Sequence, residues 1–487
     1  MPYSLKLFEK YYGPYWIILA LVLAKVPYLH EALVWDELYA YSSGVRQLFH
    51  NGFSSLSQGT SLNLGHAPGQ PLLQLIWAKF FGLNIPALRS LNLFGHFLGL
   101  VFLFKLSKDW ITPQASLLLV VLYALTPIVH VQSSLLLPDL FSCSLVIILC
   151  FLTQRNYFKL FILLGIMMSF YRESTIVYLF ALPMSFLLDR KKLTKWFLGS
   201  LLAVTPLLIF FVWNFSKAKS GQVWPGFSDE FFSLKPMDIL GNLFNIFYFN
   251  FLKVNYRFLI TLPLIGFLGF QINNALKTKV WSLPPVLTAT IFGSSLLCLG
   301  FSPYLVMERN ILPFLFGYYL LLFYILELHV KSRYLPLLVT IILTLSFIPQ
   351  YHPKVPVHEE LNKTPIVVKA IAQDGRTYSY RDEIRVTKMA VEFLEKHRDK
   401  NLYVTWPFDL VLSDPFYGYT FKKYSNIFPK VSPFKKRVNA PAPDLLLVSN
   451  FSTPLNLQEQ QIDIEKFKMR PLRTFKANGR YIVLFTK

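Results

Sequence analysis

Cysteine is nearly absent from this chain: three residues in 487, Cys143, Cys150 and Cys298, each inside an apolar run. A disulfide framework is excluded on that ground, and with no paired CxxC a thiolate metal centre is excluded as well; the three read as small buried side chains. There is no HExxH and no multi-carboxylate cage, so no motif demands a metal. Charge is scarce, at 15% of residues, and unevenly signed, with 48 Lys and Arg against 27 Asp and Glu. The resulting net charge of +21 would suit nucleic acid if it formed one patch. Here the basic residues sit in short loops between apolar segments, which is the pattern of membrane orientation, and a nucleic-acid partner is set aside. Internal repeats and low-complexity tracts are missing too. The first apolar segment carries Lys25 and Pro27 and has no small-residue cleavage site after it, so it reads as a retained span rather than a removed signal peptide.

What the chain does have is hydrophobic sequence, 54% of it, in long blocks rather than amphipathic stripes. About eleven runs read as transmembrane helices, near 15–34, 87–104, 113–131, 139–153, 160–172, 174–188, 196–213, 256–271, 282–301, 310–328 and 334–349. Basic clusters occupy alternate loops: Lys105 and Lys108, Arg155 and Lys159, "DRKKLTK" at 189–195, Lys277 and Lys279, Lys331 and Arg333, together with Lys6 and Lys10. The positive-inside rule puts them on one face. That parity holds only if "PLLQLIWAKFFGL" at 71–83 lies along the membrane as an interfacial helix instead of crossing it. The outer face then receives Asp36, Glu37, His66, Asp139, Arg172, Glu173, Glu308 and Arg309.

The expected architecture is a polytopic α-helical membrane domain over 1–350 and an extracytoplasmic α/β domain over 351–487. The membrane domain includes an outer loop at 35–86, which carries the interfacial helix, and a second at 214–255, a candidate lid or interfacial helix. In the C-terminal part "DEIRVTKMAVEFLEKHRDK" reads as an amphipathic helix, and "NLYVTW", "DLLLVS" and "RYIVLF" read as strands.

The stretch "WDELYA" puts Asp36 and Glu37 where the first span meets the outer aqueous face, and "HAPGQPLL" and "LRSLNLFGHFLG" follow. This order resembles the first outer loop of the GT-C glycosyltransferases, in particular the family of protein O-mannosyltransferases and the lipid A aminoarabinose transferase. The matching residues are Asp36-Glu37, His66-Ala67-Pro68 with Pro71-Leu72, Phe81-Gly82, and Arg89 with Ser90 and Gly95. "LLPDLFSCS", with Asp139, and "MERNILPFLFG", with Arg309, continue the likeness over roughly residues 1–350. The two prolines of "HAPGQPLL" are not adjacent, a departure from the family pattern that bears on His66.

The resemblance implies an inverting membrane glycosyltransferase that moves a sugar from a polyprenyl-phosphate donor to a lipid, glycan or protein acceptor. It makes Asp36 the general base, with Glu37 and Asp139 in support. His66, Arg89, Arg172 and Arg309 become the cations for the leaving phosphate. It leaves a divalent cation open, since some members of the wider superfamily use one. Each residue also has a plainer reading: solvated span ends for Asp36 and Glu37, a helix N-cap for Asp139, mutual compensation for Arg172 and Glu173, an ordinary loop side chain for His66. Competing functions are a lipid-linked sugar flippase or secondary transporter, or a GT-C-like protein that binds without catalysis. Acidic residues gathered at one face, with no inverted repeat, favour the enzyme. The expected setting is a bacterial plasma membrane, with the site and the C-terminal domain on the extracytoplasmic side.

Overall fold

Prolines and small polar residues set where the apolar runs begin as helices. In the computed structural model Asn84 caps one helix by accepting from the Ala87 amide, and Thr112 caps the next by accepting from Ala115. Proline stands in the first turn of both, where no intrahelical partner for its nitrogen is needed. The structure describes residues 3–34, 36–56, 66–217, 257–278, 283–297, 312–330, 332–351, 379–405, 407–429, 441–449 and 463–487, with 237, 240, 241 and 244. Most of the 214–255 segment, and Glu308, Arg309, Lys279 and Lys331, lie outside them.

The chain divides into two units, Met1–Leu29 with Ser43–Phe347, and His30–Ser42 with Ile348–Lys487. The first is helical: α1 Tyr3–Leu23, α2 Ser42–Asn51, α3 Gly69–Phe81, α4 Ile85–Ser107, α5 Pro113–Leu125, α6 Pro127–Gln132, α7 Pro138–Gln154 and α8 Phe158–Tyr171. It continues with α9 Ile176–Ala181, α10 Arg190–Lys217, α11 Arg257–Thr278, α12 Pro285–Leu297, α13 Leu312–His329 and α14 Leu335–Tyr351. Each of the apolar runs contains helix among its described residues, but not throughout: the 15–34 run leaves helix at 24–25 and again after His30, and the 174–188 run has 3₁₀ turns on either side of α9. Among the described residues four segments are long and apolar enough to cross a bilayer, Tyr12–His30, Ile85–Ser107, Arg190–Trp213 and Leu312–His329. The shorter apolar helices, such as Pro113–Leu125 and Pro138–Gln154, fall below that length. The 71–83 run is helical as α3, with Phe80 and Phe81 exposed at its end.

Glycine brings α4 and α7 together. A Cβ on Gly95 would overlap the Phe141 ring, and one on Gly99 would press on Ser144. Small residues one turn apart let two apolar helices approach backbone to backbone. Around this contact the core gathers Leu100, Leu103, Val146, Ile147, Phe161, Leu287, Phe316 and Tyr319.

The second unit is built on a five-stranded sheet of order β2-β1-β3-β5-β4, with β1 Leu402–Val404, β2 Ile427–Pro429, β3 Leu445–Ser449, β4 Arg470–Ala477 and β5 Arg480–Thr486. β1 pairs in parallel with β2 and β3, whereas β5 runs antiparallel to β3 and β4. The β4–β5 turn is Asn478-Gly479, both at positive φ, the geometry a tight hairpin requires. Helix α15, Ser379–Leu394, lies on β4 and β5, and Glu383 is ion-paired with Arg480 at 3.3 Å, both side chains under 9% exposed. A short α16, Phe408–Ser413, follows β1.

The segment 30–42, expected as the end of the first span and the start of the outer loop of the membrane domain, packs with this unit. Glu31 pairs with Arg381 at 3.1 Å and accepts from the Tyr380 hydroxyl at 2.7 Å. The Leu33 amide donates to the Tyr417 carbonyl, and the Tyr419 hydroxyl donates to the Leu33 carbonyl.

Candidate active site

In the helical unit four helix ends meet: the starts of α3, α4 and α7 and the end of α8. Asn92, one turn into α4 from Arg89, donates to the carbonyls of Leu135 and Leu137 at 2.6 and 2.7 Å, fixing the turn that leads into α7. Pro138 opens that helix and Asp139 follows it. The carboxylate of Asp139 does not cap the helix. It pairs with Arg172 at 3.0 Å, and the two side chains are 4% and 14% exposed. Asp139 stands in the first turn of α7, where an N-terminal charge was the plainer reading, and Arg172 pairs with it rather than with its neighbour Glu173. A 3₁₀ turn over Glu173–Thr175 separates the two side chains, and Glu173 pairs with His66 instead, at 3.1 Å. The amide of Ala67 donates to the other oxygen of Glu173. Burial pushes the Glu173 carboxyl up, but the hydrogen bond and charge of His66 and the Ala67 amide outweigh it and hold the group below its ordinary value. Gly69 closes the arrangement: a Cβ there would overlap the Phe170 carbonyl, so only glycine lets α3 begin against the end of α8.

Asp139 and Arg172 thus form an ion pair, and His66 and Glu173 a hydrogen-bonded pair, at neighbouring helix ends. Arg89 is fully buried on α4 and donates to the Tyr28 carbonyl at 3.5 Å. Arg309 lies outside the described residues. Two side chains that the sequence pattern did not single out belong to the same region. Gln70 and Gln74 are one turn apart on one face of α3 and both fully buried. The Gln70 amide donates to the Leu136 carbonyl, and the Gln74 amide has no hydrogen-bond partner among the described residues. Paired glutamines at this spacing in an otherwise apolar helix were the available signal.

Asp36 and Glu37 belong to the other unit. Glu37 opens a single π-helical turn, Glu37–Tyr41, is fully buried, and accepts from the Val34 amide at 3.0 Å while its own amide donates to the Val34 carbonyl. It therefore ties the turn to the segment before it. Asp36, at the head of that turn, is partly exposed and makes no side-chain cap. One-turn π segments are frequent at functional sites because they aim a side chain away from the regular helical surface. α16 packs against this turn, and at its start burial pushes the Asp409 carboxyl up from its ordinary value. Among the described residues no three His, Cys, Asp or Glu side chains gather as a metal-binding group.

No family model and no curated protein sequence matches the chain. Solved structures do. ArnT from Cupriavidus metallidurans bound to undecaprenyl phosphate aligns at 12% identity and a TM-score of 0.52, over 97% of this chain and 98% of that one. The apo state of the same protein aligns at 14% identity and a TM-score of 0.53, over 96% and 97%. Over its described residues this chain is mostly helical with a small C-terminal sheet, and over nearly its whole length its fold is similar to that of ArnT.

Proposed function

We propose that the protein is an integral-membrane glycosyltransferase that moves a sugar from a polyprenyl-phosphate donor to a lipid, glycan or protein acceptor, with inversion at the anomeric carbon. The observation that carries this reading is the set of pairs Asp139–Arg172 and His66–Glu173 at joined helix ends, in a chain whose fold is similar to that of a structure bound to undecaprenyl phosphate. In the proposed reaction the acceptor oxygen attacks the anomeric carbon and gives its proton to Asp36. The bond from that carbon to the phosphate oxygen breaks, and the polyprenyl phosphate leaves with the electron pair. Arg172 supports the departing charge. Its guanidinium carries five donors, so pairing with Asp139 does not exhaust it. His66, 37% exposed, supports it from the start of α3. Arg89, fully buried, and Arg309 complete the proposed cationic set. The site faces the extracytoplasmic side of a bacterial plasma membrane, by the alternation of basic loops.

The test is turnover of a polyprenyl-phosphate sugar by purified protein in liposomes, wild type against Asp36→Asn. The substitution keeps the shape of the side chain but cannot take the proton, and general-base losses run at about 10²–10⁴-fold. A well-folded Asp36→Asn protein within a few-fold of wild type would overturn the assignment of the base.

A further inference from the structure

The end of α8 opposite the Asp139–Arg172 pair meets the start of α10, and between them lies a groove of about 690 Å³. Its two parts differ in chemistry. Arg190, Lys191, Thr194 and Lys195 line one part. Leu198 and Leu202, with Phe158 and Ile162 from α8, line the other. On α10 the order is regular: Lys191, Lys195, Leu198 and Leu202 recur at helical spacing on one face, so that face runs from cationic to apolar. Past the exposed Thr205 the same face reaches Ile209, which is 63% exposed, and Leu198 and Leu202 are 59% and 55% exposed. From Leu198 to Ile209 this track is about 16 Å long at the helical rise, the scale of an acyl chain within one leaflet.

Among the described residues the charge at the mouth is only partly countered by carboxylates. Asp189, the carboxylate next to it in sequence, pairs with Lys192 at 3.5 Å. Among the described residues Arg190, Lys191 and Lys195 have no carboxylate partner. Lys195 lies over the Phe158 ring at 4.7 Å, which holds its ammonium at the boundary between the two parts. Gly199 sets the depth of the groove: a Cβ there would press on Phe158, so α8 and α10 come close with the groove beside the contact.

We infer that this groove is a binding site for one anionic phospholipid, its phosphate held by Arg190, Lys191 and Lys195 and one acyl chain laid along Leu198, Leu202 and Ile209. Charge complementarity selects the headgroup, and the apolar lining beyond it, Leu198, Leu202, Phe158 and Ile162, selects a lipid over a free phosphate. The site is separate from the proposed transfer site, at the other end of α8, and does not depend on the protein being a transferase.

The experiment measures dioleoyl phosphatidylglycerol bound to the purified full-length protein in detergent, by native mass spectrometry, against dioleoyl phosphatidylcholine and glycerol phosphate. Wild type should prefer the anionic lipid by at least about tenfold. Arg190→Gln/Lys191→Gln/Lys195→Gln should abolish the preference. Leu198→Trp, which fills the track at an exposed position and leaves the charges alone, should lower occupancy as well, and it decides the matter if the triple variant does not fold. Lys105→Gln/Lys108→Gln, a basic pair elsewhere, should change nothing. Equal binding of the two lipids, equal loss in the control pair, a preference surviving in the triple variant, or glycerol phosphate binding as tightly as the lipid would each overturn the inference. Turnover is not read, so failure here leaves the transferase reading standing.

Discussion

Breaking the Asp139–Arg172 pair separates a structural role from a donor-binding one. At 3.0 Å and an effective dielectric constant of about 20, two unit charges attract by roughly 5 kcal/mol, most of which offsets the cost of taking both from water. With the side chains only 4% and 14% exposed, removing one partner takes a charged contact from the other in a poorly solvated site, at about 3–5 kcal/mol. Asp139→Asn and Arg172→Gln should each destabilise the protein by that order. The double variant, with neither charge present, should lose about 1.5–3 kcal/mol less than the sum. Denaturant titration of the four proteins in one detergent measures the cycle. Coupling under about 0.5 kcal/mol would show that the pair does not act as a buried unit, and the argument from burial would fail. The donor role is read separately, as affinity for undecaprenyl phosphate in proteins confirmed to be folded. Arg172→Gln should bind it more weakly whether or not Asp139 is also changed, and unchanged affinity would leave Arg172 a structural residue only.

Two further predictions follow from the same helix ends. The Glu173 carboxyl is held below its ordinary value, so its contribution to stability is complete above the unfolded carboxylate value and is lost as pH falls through the lowered folded value. Wild type should therefore lose thermal stability across that acid window, and Glu173→Gln should start lower at neutral pH and show a flatter acid limb; parallel limbs would refute the linkage. At the α4–α7 contact, Gly95→Leu should cost about 1–3 kcal/mol by driving a side chain into Phe141, and Phe141→Ala should recover part of it. No recovery in the double variant, by thermal unfolding, would place the clash elsewhere.

The helices were legible because an apolar run leaves the backbone no partner but itself, and each such run holds helix among its described residues. Three of the five strands were legible for a related reason: Leu402–Val404, Leu445–Ser449 and Arg480–Thr486 are almost wholly buried and read as continuous apolar runs. The other two lie at the sheet edges. β2 is three residues long and ends on Pro429, while β4 carries Arg470, Pro471, Arg473 and Lys476 and exposes most of its length. Those are the residues that keep an edge from pairing further, and they erase the strand pattern. The candidate site was legible as residue types at chain positions, not as pairs. Nothing local says that Arg172 turns from Glu173 to Asp139, or that Glu31 and Leu33 find partners at Arg381, Tyr417 and Tyr419.

The least legible feature is the polar interior of the helical unit. Lys25, just beyond α1, is fully buried and donates to the Ala124 carbonyl at 3.1 Å, with His96 Nε2 at 3.3 Å. A buried ionisable residue among apolar helices is by default a functional suggestion. The backbone supplies a different cause. α5 ends at Leu125, Thr126 turns to ψ 127°, and Pro127 opens α6 without an amide hydrogen. The last carbonyls of α5 are thereby cut off from the next turn of helix, in surroundings with no apolar substitute for a donor. Lys25 satisfies one of them by donating a hydrogen bond from its side-chain nitrogen at the helix C-terminus. Lysine and proline stand in different spans, each unremarkable in its own sequence context, and only packing shows that one answers the other. His96 had no motif spacing to betray it for the same reason: its partner comes from another helix.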